Sequence, residues 1–393
     1  VEFAGWDMPV WYTAVRDEHT AVRNAAGLFD VSHMGCFEAS GPDAIEFLDT
    51  MVTNYVHWLD DGESCYSYLL GPEGGVIDDL IVYRLGRERF LLVVNAANEA
   101  KDWDWLTAAN EGRVMIDTDR PWVRPAVKAE LENLKTASDR SRQLRGIALQ
   151  GPASLRILEK CAGTGSAARV LRRMGRTRCA EITLAGIPAI AARTGYTGEE
   201  YGYELMAHPD RIGELWTLLL EEGESLGIKP CGLACRDSTR IEAGLPLYGH
   251  ELAGPLGISP EEAGFTGYVK LHKPFYVGRD RRVLEELERT REIVRWRAGK
   301  KGVRRPDLGD PVVDKNGKVI GAVTSCSLDS EGFLNGMALV DRKYAGADTE
   351  IGIFVLQGSG ERSEKSPREI SFESGKRVPV PVGATVLSRF PGA

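Results

Sequence analysis

The sequence of 393 residues predicts an α+β fold whose C-terminal part is all-β. Two observations carry this reading. Over roughly the first three quarters, ordinary helical patterns alternate with short strand-like runs. One helix is clear: it begins near Asp210, a good N-cap, carries Ile212, Leu215, Trp216 and Leu219 on one stripe, and stops before Gly227. From about residue 300 the pattern changes to short strands and turns. There Val312-Val313-Asp314-Lys315-Asn316-Gly317-Lys318-Val319-Ile320 predicts a hairpin, because Asn-Gly suits the positive backbone angles of a type I′ turn.

Taken in chain order, Leu28-Phe29-Asp30-Val31-Ser32-His33-Met34-Gly35 reads as the end of a helix-like stretch leading into a strand, with His33 a hydrogen-bonded structural residue. The run Val76-Ile77-Asp78-Asp79-Leu80-Ile81-Val82-Tyr83 is rich in β-branched residues and reads as a strand. Two carboxylates in its middle are out of character, since they are depleted from strands and costly to bury without partners. Alternation places Asp79, Ile81 and Tyr83 on one face and Asp78 and Val82 on the other. The next apolar run, Phe90-Leu91-Leu92-Val93-Val94-Asn95, follows a polar hairpin connection, which sets Asn95 beside the aspartates to within a residue of register. An acid, an amide and a phenol then converge; the competing reading is a solvated edge strand whose acids discourage edge-to-edge pairing.

Residues 117–145, rich in proline and charge, read as a long surface connection. Between Thr194 and Leu205 the chain packs three glycines and three tyrosines into twelve positions. Glycines allow close backbone approach and tyrosines offer flat faces with hydroxyls, which suits a grip on a planar heteroaromatic ligand as well as it suits a structural turn. Glu204, entering a strand, is placed to accept N–H donors from such a ring. Cys235-Arg236-Asp237-Ser238-Thr239-Arg240-Ile241-Glu242-Ala243-Gly244 reads as a helix ending at Gly244, with Arg236 and Arg240 one turn apart on the same face. Each guanidinium can fork onto a carboxylate, either of a ligand or of Asp237 or Glu242. The stretch Gly358-Ser359-Gly360-Glu361-Arg362-Ser363-Glu364-Lys365-Ser366-Pro367 reads as a poorly ordered loop.

Composition removes several function classes. Lysine and arginine total 49 against 57 acids, a formal net charge of -8, so neither nucleic acid nor an anionic membrane is the expected partner. There is no apolar stretch of membrane-spanning length and no signal-peptide pattern. The seven cysteines are scattered and odd in number, which predicts reduced thiols and a cytoplasmic location. Cys231 and Cys235 are the only close pair, and without a second pair or a histidine at ligand spacing no metal site is expected. A phosphate-cradling loop and a dinucleotide fingerprint are both missing, which argues against nucleotide-driven and hydride-transfer chemistry.

Several of these stretches, with others, resemble the aminomethyltransferase family, the T-protein of the glycine cleavage system and its folate-binding relatives. The matching pieces are Phe3-Ala4-Gly5-Trp6-Asp7-Met8-Pro9-Val10, Phe29-Asp30-Val31-Ser32-His33-Met34-Gly35, Gly74-Gly75-Val76-Ile77-Asp78-Asp79-Leu80, Gly195-Tyr196-Thr197-Gly198, Tyr203-Glu204-Leu205, Arg236-Asp237-Ser238 and Glu242-Ala243-Gly244-Leu245-Pro246-Leu247-Tyr248-Gly249-His250. They run in family order across most of the chain. The resemblance implies a three-domain cloverleaf around a central folate channel: two α+β folate-binding domains within residues 1–295, free to interleave in sequence, and an antiparallel β-barrel over 296–393. It implies Asp79 as the catalytic aspartate, with Tyr83 and Asn95 lining the same cavity, and Tyr196, Glu204 and Arg236 as further folate-binding residues. It implies tetrahydrofolate as co-substrate and a lipoylated carrier protein as partner, the activity being release of ammonia and formation of methylenetetrahydrofolate from a carried aminomethyl group.

The match has departures. Tyr201 is inserted in the turn before Glu204, the approach Glu63-Ser64-Cys65-Tyr66-Ser67-Tyr68-Leu69-Leu70 is more aromatic than usual, Cys326 stands where the family has glycine, and the region 117–145 is longer. A tetrahydrofolate-dependent demethylase of an O-, S- or N-methyl compound is therefore the alternative, and a non-enzymatic folate-binding module a weaker one. Retention of Asp79 favours the aminomethyltransferase.

Overall fold

The computed structural model describes residues 1–355 and 382–391; the predicted loop at 358–367 lies outside them. The chain divides into two compact units, one of Val1–Arg236 with Thr266–Glu285, the other of Asp237–Phe265 with residues from 286 onward.

The first unit is built on two sheets. A five-stranded antiparallel sheet has the order Ser64–Leu70, Val76–Gly86, Arg89–Val94, Gly35–Ser40, Glu130–Asn133. Its strands alternate as the sequence pattern requires. Leu80, Val82, Leu92 and Val94 point to one face, where Phe47, Leu48 and Leu106 from the helices Ala44–Met51 and Glu99–Asn110 complete a core. Tyr83 and Leu91 point to the other face and pack with Cys179, Ile190, Ala192 and Met206 of the second sheet.

That second sheet has six strands in the order Cys179–Leu184, Ile187–Ala192, Gly202–Ala207, Arg145–Gln150, Ala26–Asp30, Ile228–Cys231, antiparallel except for the last pair. The helices Ser154–Ala162, Ser166–Arg173 and Pro209–Gly223 cover it, burying Ile157, Leu158, Leu171, Leu215 and Leu219 against Leu149 and Leu205. Ala26–Asp30 and Gly35–Ser40 are neighbours in sequence but lie in different sheets, so residues 31–34 carry the chain from one sheet to the other.

In the second unit six strands close into an antiparallel barrel: Arg291–Ala298, Leu334–Asp341, Val319–Leu328, Pro311–Val313, Glu350–Ile353 and Val382–Leu387. Trp296, Val312, Val323, Ala338 and Val386 fill it. Gly336 is required by that filling, because a Cβ there would meet the Trp296 ring at 2.6 Å. The α+β class and the C-terminal antiparallel barrel are thus as the sequence predicts.

Four local expectations differ. The stretch before His33 is the strand Ala26–Asp30, not the end of a helix, because the Val15–Asn24 helix stops first and Leu28 and Phe29 enter the sheet. The Pro209–Gly223 helix is capped by His208, whose ring accepts from the Asp210 N–H at 3.2 Å, so Asp210 lies in the first turn where its charge favours the helix dipole. Residues 117–145 are more than a surface connection, since Glu130–Asn133 pairs with Gly35–Ser40 as the edge strand of the five-stranded sheet. In the 311–320 hairpin only Gly317 takes a positive φ, so the turn is not type I′. The Asp314 carboxylate accepts from the Asn316 and Lys318 N–H groups and holds a longer turn, with a register shift between Val312 and Val313.

Candidate active site

Asp79 lies on the Val76–Gly86 strand directly opposite the end of Arg89–Val94, because Leu80 pairs with Val94. That register brings Asn95 onto both aspartates. Its side-chain amide donates to Asp78 Oδ1 at 2.8 Å and to Asp79 Oδ1 at 2.9 Å, while its backbone N–H donates to Asp78 Oδ2 at 2.9 Å. The two carboxylates point to opposite faces, as alternation requires. Asp78 is fully buried on the helix side, where Asn98 donates to its Oδ1 at 2.5 Å; Asp79 faces away and keeps partial exposure. The edge-strand reading of these acids is excluded, since the strand carrying them is paired on both sides.

From the neighbouring strand Ser64–Leu70, the Tyr66 hydroxyl donates to Asp79 Oδ2 at 2.8 Å. The Tyr66 ring is held edge-on between Tyr68 at 5.2 Å and Tyr268 at 5.0 Å, which fixes the phenol that donates to the carboxylate. Burial, and then the charge of Asp78, push Asp79 up to about 7, against the pull of the hydrogen bonds from Tyr66 and Asn95. A carboxyl poised near neutrality, oriented by two donors and still reachable, can both take a proton and supply negative charge to a developing cation.

A second group gathers on the same side. Tyr83 is fully buried; its hydroxyl donates to Glu204 Oε2 at 2.9 Å and lies 3.1 Å from Thr194 Oγ1, which itself donates to Glu204 Oε2 at 2.5 Å. Tyr83 therefore bridges the sheets and does not contact Asp79. Both bonds fall on one Glu204 oxygen, and among the described residues Oε1 takes none. Arg236, on the Leu233–Ala243 helix, lies over the Tyr196 ring at 5.0 Å. Burial lowers the Arg236 pKa, with the charge of Glu204 opposing. Burial and the Arg236 charge also push His33 down to about 4, so it is a neutral imidazole at physiological pH. A planar ring with N–H donors fits this set: an open carboxylate oxygen, a guanidinium and an aromatic face.

Asp79 and Asn95 belong to one cluster, and Tyr83, Glu204, Arg236 and Tyr196 to the other; the residues that support them are less evident in the sequence. Asn98 and Asp102 are buried and one helical turn apart, continuing into Leu106 and Ala109; a polar pair heading an apolar stripe was the available signal. Thr194 carried none beyond its place in the glycine-rich turn. Glu18, Cys231 and Cys235 bring ligand atoms within 4.8 Å of one another, all buried. Glu18 nevertheless has both oxygens committed, to the N–H groups of Tyr12 and Thr13 and to that of Gly232. A cavity of about 1110 Å³ opens near Leu85, Arg89 and Glu181, and none of the six candidate residues lines it.

A family model described as the GCVT N-terminal domain matches residues 1–273. An aminomethyltransferase of Lysinibacillus sphaericus (strain C3-41) is 38% identical over 361 residues, covering 90% of this chain and 89% of that protein. Another, of Symbiobacterium thermophilum, is 39% identical over 359 residues with the same coverage. Among solved structures, the glycine cleavage system aminomethyltransferase T from Bartonella henselae matches with a TM-score of 0.77 at 28% identity, over 99% of this chain and 92% of that one. This chain belongs to the aminomethyltransferase family, and it is a transferase of the glycine-cleavage T-protein type.

Proposed function

We propose that this enzyme transfers the one-carbon unit of an aminomethyl group, carried on the dihydrolipoyl arm of a partner protein, to tetrahydrofolate, with loss of ammonia. The observation that carries the proposal is the Asp79 carboxyl, buried enough to be held near neutrality yet oriented by Tyr66 and Asn95. Tetrahydrofolate is the nucleophile, and cationic iminium character develops at the transferred carbon. Asp79 supplies the opposing charge in a site of low dielectric and orients the attacking amine. Glu204 Oε1 accepts from the pterin N–H groups, held in place through its other oxygen by Tyr83 and Thr194. Arg236 and Tyr196 frame the same ligand.

The two sheets of the first unit support two folate-binding domains within residues 1–295, and the closed barrel supports a further domain, its first strand beginning at Arg291, ahead of the expected boundary at 296. Seven free cysteines support a reducing, cytoplasmic setting. No helix of the described residues is long and apolar enough to cross a membrane.

The test is tetrahydrofolate turnover by the purified protein, with mass detection of the folate product. A lipoylated carrier loaded with aminomethyl is compared with a panel of methoxyaromatic, methylthio and methylamine donors. Methylenetetrahydrofolate and ammonia, formed only with the carrier, are expected. Methyltetrahydrofolate from a small methylated donor, with nothing from the carrier, would make the enzyme a demethylase.

A further inference from the structure

Asp102 lies on the Glu99–Asn110 helix, one turn beyond Asn98, and has no exposed surface. A bare carboxylate in such a place costs several kcal/mol unless it is paired or hydrogen-bonded. Among the described residues neither Oδ1 nor Oδ2 of Asp102 receives a hydrogen bond. The group within hydrogen-bond reach is another carboxyl, that of Asp78. Two carboxylates cannot bond to each other, but a carboxylic acid and a carboxylate can. Asp78 already accepts three N–H bonds, from the Asn95 backbone, the Asn95 side chain and the Asn98 side chain. It is the acceptor of the pair, and the proton belongs on Asp102.

We infer that Asp102 is a buried carboxylic acid whose O–H donates to Asp78, and that this bond makes Asp102 a positioning residue for Asp79. The path is short. Asp78 anchors one hydrogen of the Asn95 amide, and the other hydrogen of that NH2 group holds Asp79 Oδ1. With Asp102 donating, Asp78 keeps a full set of donors and the Asn95 amide stays aimed at both aspartates. The inference rests on the reading of Asp79 as the catalytic carboxyl.

The surroundings agree. Burial, then the charge of Asp78, push Asp102 up to about 10, with Asp79 adding to the effect. The opposing group is Lys101 on the same helix, an exposed side chain whose Nζ is bonded to the Ile77 carbonyl at 2.6 Å. Tyr66 and Tyr68 face Asp79 from the neighbouring strand. The acid is thus protonated throughout the range in which the enzyme would work.

The test uses Asp102→Asn and Asp102→Ala in the full chain, read by infrared spectroscopy and by the pH dependence of kcat. The amide is neutral and still donates to Asp78. At pH 7 the wild-type minus Asp102→Asn difference spectrum is expected to contain the carbonyl band of one protonated carboxyl. The acid limb of the Asp102→Asn profile is expected within about 0.3 pH unit of wild type, since no charge has been removed next to Asp79. Asp102→Ala is expected to lose about 10- to 100-fold in kcat with the KM for tetrahydrofolate changed less than about 3-fold, the pattern of a lost supporting hydrogen bond, and Asn is expected to rescue most of that loss. Absence of the protonated-carboxyl band, or an acid limb in Asp102→Asn lowered by about one pH unit, would mean that Asp102 is ionised and would overturn the inference. If Asp102→Ala does not fold, the Asn spectrum and profile still decide. A near-normal kcat for Asp79→Asn would overturn the reading of Asp79 instead, and would leave the Asp102 band in place.

Discussion

Asp79→Asn should separate stability from turnover. In the folded protein the Asp79 carboxyl is raised from 3.8 to about 7, so between those values the native state holds a proton that the unfolded chain has released. The stability that Asp79 contributes is therefore greatest at low pH, falls as pH rises through that window, and levels off above it. From pH 5 to pH 8 the loss spans two pKa units, on the order of 3 kcal/mol at 1.36 kcal/mol per unit. The partial exposure of Asp79 makes this an upper figure. Asparagine has the same shape and no titration. Its oxygen can accept from Asn95 and its amide can donate to the Tyr66 hydroxyl, so the hydrogen bonds survive with roles exchanged. Urea midpoints of wild type and variant at pH 5 and pH 8 should show the wild type losing more, with any slope from Asp102 common to both. Turnover should fall about 10²- to 10³-fold, the loss typical of a group that stabilises transition-state charge, with folate affinity within a few-fold of wild type. Equal pH dependence in the two proteins would refute the assignment of the raised carboxyl to Asp79, and near-normal turnover would remove it from the mechanism.

Glu204→Ala should weaken tetrahydrofolate binding about 10- to 100-fold, the equivalent of roughly 1.5–3 kcal/mol for hydrogen bonds to a charged group. Calorimetry giving an unchanged Kd would mean that the inserted Tyr201 has moved the grip elsewhere. Arg240→Ala, in the second unit, removes the partner of Glu251 at 2.7 Å and leaves that fully buried carboxylate uncompensated. It should cost about 3–5 kcal/mol of stability, and an unchanged unfolding midpoint would contradict this. Burial pushes the thiols of Cys36, Cys65, Cys161 and Cys326 up to about 12, so native protein at pH 8 should react slowly with a thiol reagent at these positions, whereas denatured protein should titrate all seven cysteines. Rapid native labelling of any of the four would count against the packing described around it.

The pairing of Asp79 with Asn95 was legible because period-2 alternation and a short hairpin connection leave little freedom of register. The barrel was legible as a change of period near residue 300. A shared strand face groups Tyr83 with Asp79, and nothing in the sequence tells that the Tyr83 hydroxyl crosses to Glu204, 121 positions away. Long-range side-chain bonds between sheets leave no local pattern. The Ala26–Asp30 strand was hidden for a related reason. Its residues are buried on both faces and so lack alternation, and they follow a helix with only Ala25 between. Asn-Gly by itself signals a type I′ turn, but the Asp314 side chain closes the loop in another way.

The bridge made by Tyr83 leads to a further separation of roles. Tyr83→Phe keeps the ring that fills the space between the sheets and removes only the hydroxyl. Glu204 Oε2 then retains Thr194 alone, and the carboxylate loses one of the two bonds that fix its free oxygen towards a ligand. A bond to a charged acceptor contributes about 1.5–3 kcal/mol, so folate affinity should drop roughly tenfold or more. Asp79, four residues away on the same strand, keeps Tyr66 and Asn95, so kcat at saturating folate should change little. A change in KM without a change in kcat is the mark of lost ground-state grip. If kcat falls while Kd stays constant, the phenol acts on the chemistry, and the division of the site into a reacting carboxyl and a separate ring-binding carboxylate is wrong.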